Sequence, residues 1–208
     1  MVVISSSSAT PAIGAMDESP QIPLGGSPKS CVPQPKSASS VGRATASVAF
    51  DSMTLFLVRH ASAGHRSNAD PDDLSRRLDD YGKAQATLLI EHLEDFEIAQ
   101  ILTRSAVRCR ETVEPIAAHR GLEVVDHPAL LEGSSTAKTM DLIRGVSDQH
   151  TLLCSHGDII PDVIRVLEVG GTRIQGQRRF AKGSIWEIDC VGGRFTDARY
   201  TEVTPAVS

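Results

Sequence analysis

Between residues 54 and 203 short β-branched runs alternate with longer stretches of helical spacing, and this alternation limits the chain to few architectures. TLFLV (54–58), IAQIL (98–102), LEVVD (122–126) and HTLLCS (150–155) read as buried strands. Between them, Ala86, Leu89, Ile90 and Leu93 follow the i, i+3, i+4, i+7 spacing of one helix face over 82–96. Ala106, Cys109, Val113 and Ile116 share a face over 105–119, where Pro115 is expected to kink the helix or restrict its local hydrogen bonding. A short helix over 136–146, a helix over 159–169 and a closing strand pair, 183–190 and 194–203, complete the series. Strands alternating with helices predict an α/β domain of three layers, α/β/α, with a mostly parallel central sheet.

Residues 1–52 are different in kind. Six of the eleven prolines fall before residue 50, among many serines, and such a segment buries too little apolar area to offset its ordering entropy. The expected division is a disordered tail over 1–52 and one folded domain over 53–208. An interaction tail is the alternative for the first segment, and Met53 offers a second start site that would make the tail an artefact.

The net charge of -5 argues against general nucleic-acid binding, and 4% aromatic residues leave little for base stacking. No apolar run reaches the roughly 18–20 residues of a membrane span, and the N-terminus makes a poor signal peptide. Cys31, Cys109, Cys154 and Cys190 form no CxxC pair, which suggests neither zinc site nor disulfide framework and fits a reducing cytoplasm.

In open α/β sheets ligands bind beyond the carboxyl ends of the strands. The residues there are Arg59 and His60 after the first strand, and Arg104, Ser105 and Arg108 after the second. His127 and Glu132 follow the third, and Ser155, His156 and Gly157 the fourth. Two histidines and at least two arginines on one rim suit a phosphoryl group, because a guanidinium fork matches phosphate oxygens and stays charged. A neutral histidine can attack phosphorus, and a second one, if protonated, would stabilise the equatorial oxygens. The departing oxygen needs a proton, best supplied by a carboxylic acid.

Four stretches in order resemble the histidine phosphatase (phosphoglycerate mutase-like) superfamily: VRHASAG (58–64), DLSRRLDDYGKAQA (73–86), SAVRCRET (105–112) and LLCSHGDII (152–160). Ala61 stands where many members carry glycine, and Arg77 replaces the proline of the linking pattern R-P-L-T-x-x-G-x-x-Q-A. The resemblance spans residues 54–200 and implies a phosphoglycerate mutase-like fold. It implies His60 as nucleophile, Arg59, Arg108 and His156 as the phosphate pocket, and a mechanism needing no metal or other cofactor. Glu132, in PALLEGSS (128–135), is the candidate acid, standing about where larger members place a glutamate. The short interval between the strands near 125 and 150 resembles the SixA-type phosphohistidine phosphatases. RRFAKGSIWEID (178–189) resembles the end of the phosphatase domain attached to Nudix hydrolases in actinobacteria, although this chain has no Nudix box. The expected substrate is a phosphohistidine protein or a small phosphomonoester. Nucleotide or nucleoside-polyphosphate hydrolysis and a catalytically silent phosphate-binding module are the alternatives.

Taken singly, His65, His92, His119, His127 and His150 read as surface or satisfied core residues, and Cys109 and Cys154 as core. Trp186 is expected on a sheet edge near a ligand-facing loop, and DPDD (70–73) as a solvated turn.

Overall fold

Strand β1 (Ser52–Arg59) carries Leu55, Phe56, Leu57 and Val58, all fully buried, so it must be covered on both faces. The computed structural model describes residues 52–65 and 73–206; the expected tail, Ser52 apart, Arg66 and most of DPDD lie outside the described residues. After β1 come α1 (Asp80–His92), β2 (Gln100–Thr103), α2 (Val107–Arg120), β3 (Val124–Asp126), a single 3-10 turn (Pro128–Leu130) and α3 (Thr136–Gly145). Then follow β4 (Thr151–Ser155), α4 (Ile159–Val169), β5 (Arg173–Gln175), β6 (Ser184–Val191) and β7 (Arg194–Glu202).

The seven strands lie in the order β3-β2-β4-β1-β6-β7-β5. β3, β2, β4 and β1 pair in parallel, while β6 runs antiparallel to both β1 and β7. Side chains alternate across the sheet, as a period of two requires. Leu55 and Leu57 pack with Met140, Ile143, Val163 and Ile164 of α3 and α4. Phe56 and Val58 pack with Leu89, Cys109, Val113 and Ile116 of α1 and α2. The three-layer expectation is therefore met, each buried aliphatic contributing about 1.5–3 kcal/mol.

Helix α2 includes Pro115, as the sequence spacing over 105–119 expects. Two details depart from the sequence reading. Trp186 is fully buried on β6, an interior strand because β7 and β5 continue the sheet beyond it, so it is not an edge residue. β5, the three residues RIQ, carries too short a pattern to be read as a strand. Among the described residues no helix is long and apolar enough to cross a membrane.

Candidate active site

The β1–β4 register sets Val58 beside Cys154 and Arg59 beside Ser155, so both strands end at one level. The next residue on each is a histidine, and His60 N donates to Ser155 O at 3.0 Å. The two imidazoles lie 4.9 Å apart, centroid to centroid, and are 4% and 5% exposed. A cavity of about 200 Å³ opens over them. Arg59, His60, Arg108, His156 and Glu132 all line it, so the structure brings together the five residues expected from sequence. Asp73, Arg76, Asp158 and Lys182 line it too, and sequence reasoning gave none of them a role.

The histidine protonation pattern follows from the contacts. His60 Nδ1 lies 2.8 Å from Ala61 O, which only accepts, so Nδ1 carries the proton and Nε2 keeps a lone pair. Burial pushes the His60 imidazole down to about 3, with Arg108, Arg59 and Lys182 adding to the fall and the Ala61 bond opposing it. Burial, then His60, Arg108, Arg104 and Arg59, push His156 down to about 2. Both rings are neutral in the open pocket near pH 7. The expected role of a protonated second histidine therefore needs an anion to be bound first.

The guanidinium groups are held by backbone and carboxylates. Arg59 donates to Phe180 O, and Trp186 Nε1 donates to Arg179 O at 3.1 Å in the same loop. A side chain on Gly157 would bring its Cβ to 2.7 Å from Arg59 Cζ, so the glycine lets the arginine lie flat against the backbone. Arg108, 2% exposed, donates to Asp73 O and lies 3.4 Å from the Asp73 carboxylate. Asp73 is itself buried, at a positive φ of 50°, and pairs with Arg76 at 2.6 Å, contrary to the solvated turn expected of DPDD. Lys182 is lowered from the usual ammonium range by burial, then by Arg76 and Arg59. Glu132, its side chain 43% exposed, reaches Arg104 at 3.3 Å and Arg108 at 3.8 Å.

Four cations and three carboxylates line the cavity, and Arg104 stands behind it. With neutral histidines the balance is an excess of two positive charges, which a phosphoryl dianion would neutralise.

The linking motif braces the loop after His60. Asp79 caps α1 by accepting from Gly82 N at 2.7 Å, and also accepts from Ser62 Oγ and Gly64 N. Buried Gln85 accepts from Ser62 N at 2.9 Å and donates to Lys182 O and Val203 O. Gly183, at φ +75°, donates to Arg59 O and His60 O, and a Cβ there would strike the Gln85 amide. Thr112 Oγ1, on α2, accepts from Ala61 N at 3.0 Å. Arg77, at the proline position, pairs with Glu111, which also accepts from Leu78 N.

Three of the other histidines hold other parts of the fold. His92 pairs with Glu187 at 3.1 Å, His150 Nδ1 accepts from Thr54 N, and His127 caps the 3-10 turn. Cys109 and Cys154 are fully buried.

Residues 55–139 match the histidine phosphatase superfamily (branch 1). An 8-oxo-(d)GTP phosphatase of Mycolicibacterium smegmatis is 32% identical over 159 residues, covering 72% of this chain and 48% of that protein. The chain thus spans about half the length of this curated relative. Among solved structures, the protein histidine phosphatase SixA complexed with tungstate superposes with a TM-score of 0.58 at 17% identity, covering 73% of this chain and 96% of that one. A mycobacterial glucosyl-3-phosphoglycerate phosphatase superposes with a TM-score of 0.53 at 16% identity, covering 76% and 100%. These two likenesses are likenesses of fold. The family match runs from β1 into α3 and identifies residues 55–139 of the chain as histidine phosphatase superfamily sequence.

Proposed function

We propose that residues 53–208 form a phosphatase that works through a covalent phosphohistidine on His60, acting on a phosphohistidine protein or a small phosphomonoester. The observation that carries this reading is the Nδ1–H···O bond from His60 to Ala61, which leaves Nε2 as a fixed, unprotonated nitrogen in a cavity lined by Arg59, Arg108 and His156. In the first step the Nε2 lone pair forms a bond to phosphorus as the bond to the leaving atom breaks. Arg59, Arg108 and His156 donate to the equatorial oxygens, whose charge is matched by the cationic excess of the pocket. The leaving atom takes a proton from the carboxylic acid form of Glu132. Water then attacks the phosphorus, gives its proton to the Glu132 carboxylate, and the P–N bond breaks to release phosphate.

The phosphate cavity, about 200 Å³, is polar and lined mainly by charged side chains. A wider groove of about 860 Å³, lined by His127, Leu131, Ser135 and Lys138, shares Glu132 with it and is where we place the leaving group. The name of the Mycolicibacterium relative favours a second reading, in which that groove holds a nucleoside and the substrate is a nucleotide or nucleoside polyphosphate.

The test is rapid acid-free quenching of the full chain with a radiolabelled phosphoryl donor. The reading expects a protein-bound label that survives alkali and is lost in acid, absent from His60→Ala. A label on another residue, or undiminished turnover by His60→Ala, overturns it.

A further inference from the structure

Arg104 follows β2 directly and is 5% exposed, yet it stands behind the cavity and not along its wall. Its Nη1 lies 2.9 Å from His156 Nε2 and 3.3 Å from Glu132 Oε2. A guanidinium only donates, so His156 Nε2 is an acceptor and carries no proton. Cys109 Sγ, 3.3 Å from the same nitrogen, is a weak second donor at most. A neutral imidazole holds one proton, which must then sit on Nδ1. Arg108 Nη2 lies 3.4 Å from that Nδ1, and two donors cannot bond each other. They stand side by side, both able to reach one anion.

Burial of this guanidinium is costly, because its Nε has no hydrogen-bond partner and its carboxylate is half open to solvent. Anchoring a loop does not require that cost; presenting a donor to the back of an imidazole does. We infer that Arg104 is a positioning residue: through one nitrogen it fixes His156 as the Nδ1–H tautomer, aimed at the phosphoryl oxygens, and sets the Glu132 carboxylate at the cavity mouth. The inference rests on the phosphoryl-transfer reading of the pocket for its purpose, but not for its geometry. Glu132 and His156 lie 28 and 52 residues further along the chain, and one side chain ties both to the end of β2.

The test is a long-range proton–nitrogen NMR spectrum of the histidine side chains in ¹⁵N-labelled full-length protein, for the wild type, Arg104→Met and Arg104→Lys. In the wild type the His156 Nε2 should resonate as unprotonated and Nδ1 as protonated. In Arg104→Met the ring should move to the Nε2–H tautomer or to an average, and Arg104→Lys should restore part of the wild-type pattern. With an aryl phosphate, Arg104→Met should lower kcat on the order of 10- to 100-fold with a smaller change in KM. A residue that merely anchors a loop would lower the unfolding temperature and leave the tautomer alone, which would overturn the inference. So would a protonated His156 Nε2 in the wild type, a result that needs no variant to fold. If the tautomer follows Arg104 while no phosphate compound is hydrolysed, the phosphatase reading fails and the positioning role stands.

Discussion

Gly157 and Arg59 are in such close approach that one methyl group would bring the glycine's Cβ to 2.7 Å from the guanidinium carbon. Gly157 has no positive φ, so alanine is compatible with its backbone and the effect must fall on Arg59. Gly157→Ala should lower kcat/KM on the order of 10- to 100-fold, with an unfolding free energy within about 1 kcal/mol of wild type. Steady-state kinetics and urea titration of the same preparation measure both. A large loss of stability at wild-type kcat/KM would show that Arg59 is not held there for catalysis.

Glu132 is tested by the leaving group. With an alkyl phosphate, whose alkoxide is a poor leaving group, Glu132→Gln should reduce kcat on the order of 10²- to 10⁴-fold. With an aryl phosphate bearing a nitro group, departure needs little proton assistance and the loss should be less than about tenfold. Equal losses on both substrates would assign the carboxylate to holding Arg104 and remove it as the acid.

The two buried imidazoles make stability depend on pH. In the unfolded chain each takes a proton near pH 6.5. In the fold they resist protonation down to about 3 for His60 and about 2 for His156, chiefly through burial. The unfolded state therefore binds more protons between about pH 6.5 and 3, and stability falls as the pH drops through that window. Urea midpoints at pH 7.5 and 5 should differ in the wild type, and the difference should shrink in His60→Ala/His156→Ala. Inorganic phosphate should raise the midpoint at both pH values, because it binds only the folded pocket.

Gln85 joins three segments through one amide, and it is 3% exposed. Gln85→Leu would leave Ser62 N, Lys182 O and Val203 O without this partner. The expected cost is about 2–4 kcal/mol, read from denaturant unfolding, together with a loss of activity as the loop after His60 relaxes. An unchanged denaturation midpoint would show that water replaces the amide fully.

What could be read in the sequence was what local pattern encodes. Leu55 to Val58 announce a buried strand by composition, and its carboxyl end must then present Arg59 and His60 at the sheet rim. Residues whose role depends on distant partners were not legible in this way. Asp73 looks like one more acid in a polar run, and only the fold shows it buried between Arg76 and Arg108. Lys182 lies within RRFAKGSIWEID, where nothing local ties it to the pocket that Gln85 and Gly183 hold it against. Arg104 was placed on the rim, but its contacts to His156 and Glu132 depend on strand order. The position of Trp186 is illegible for the same reason, since an interior strand and an edge strand can share one composition.

The place of β1 between β4 and β6 also says when the site can come into being during synthesis. β1 emerges first among the described strands, but its parallel partner starts at Thr151 and its antiparallel partner at Ser184. A nascent chain halted before residue 182 carries Arg59 and His60 on a strand with an open flank, without the Gly183 N–H that donates to their carbonyls and the Lys182 carbonyl that accepts from Gln85. His60 leaves the ribosome early among the described residues and is placed late. Truncated products therefore display the Arg-His pair without the geometry that would make it reactive.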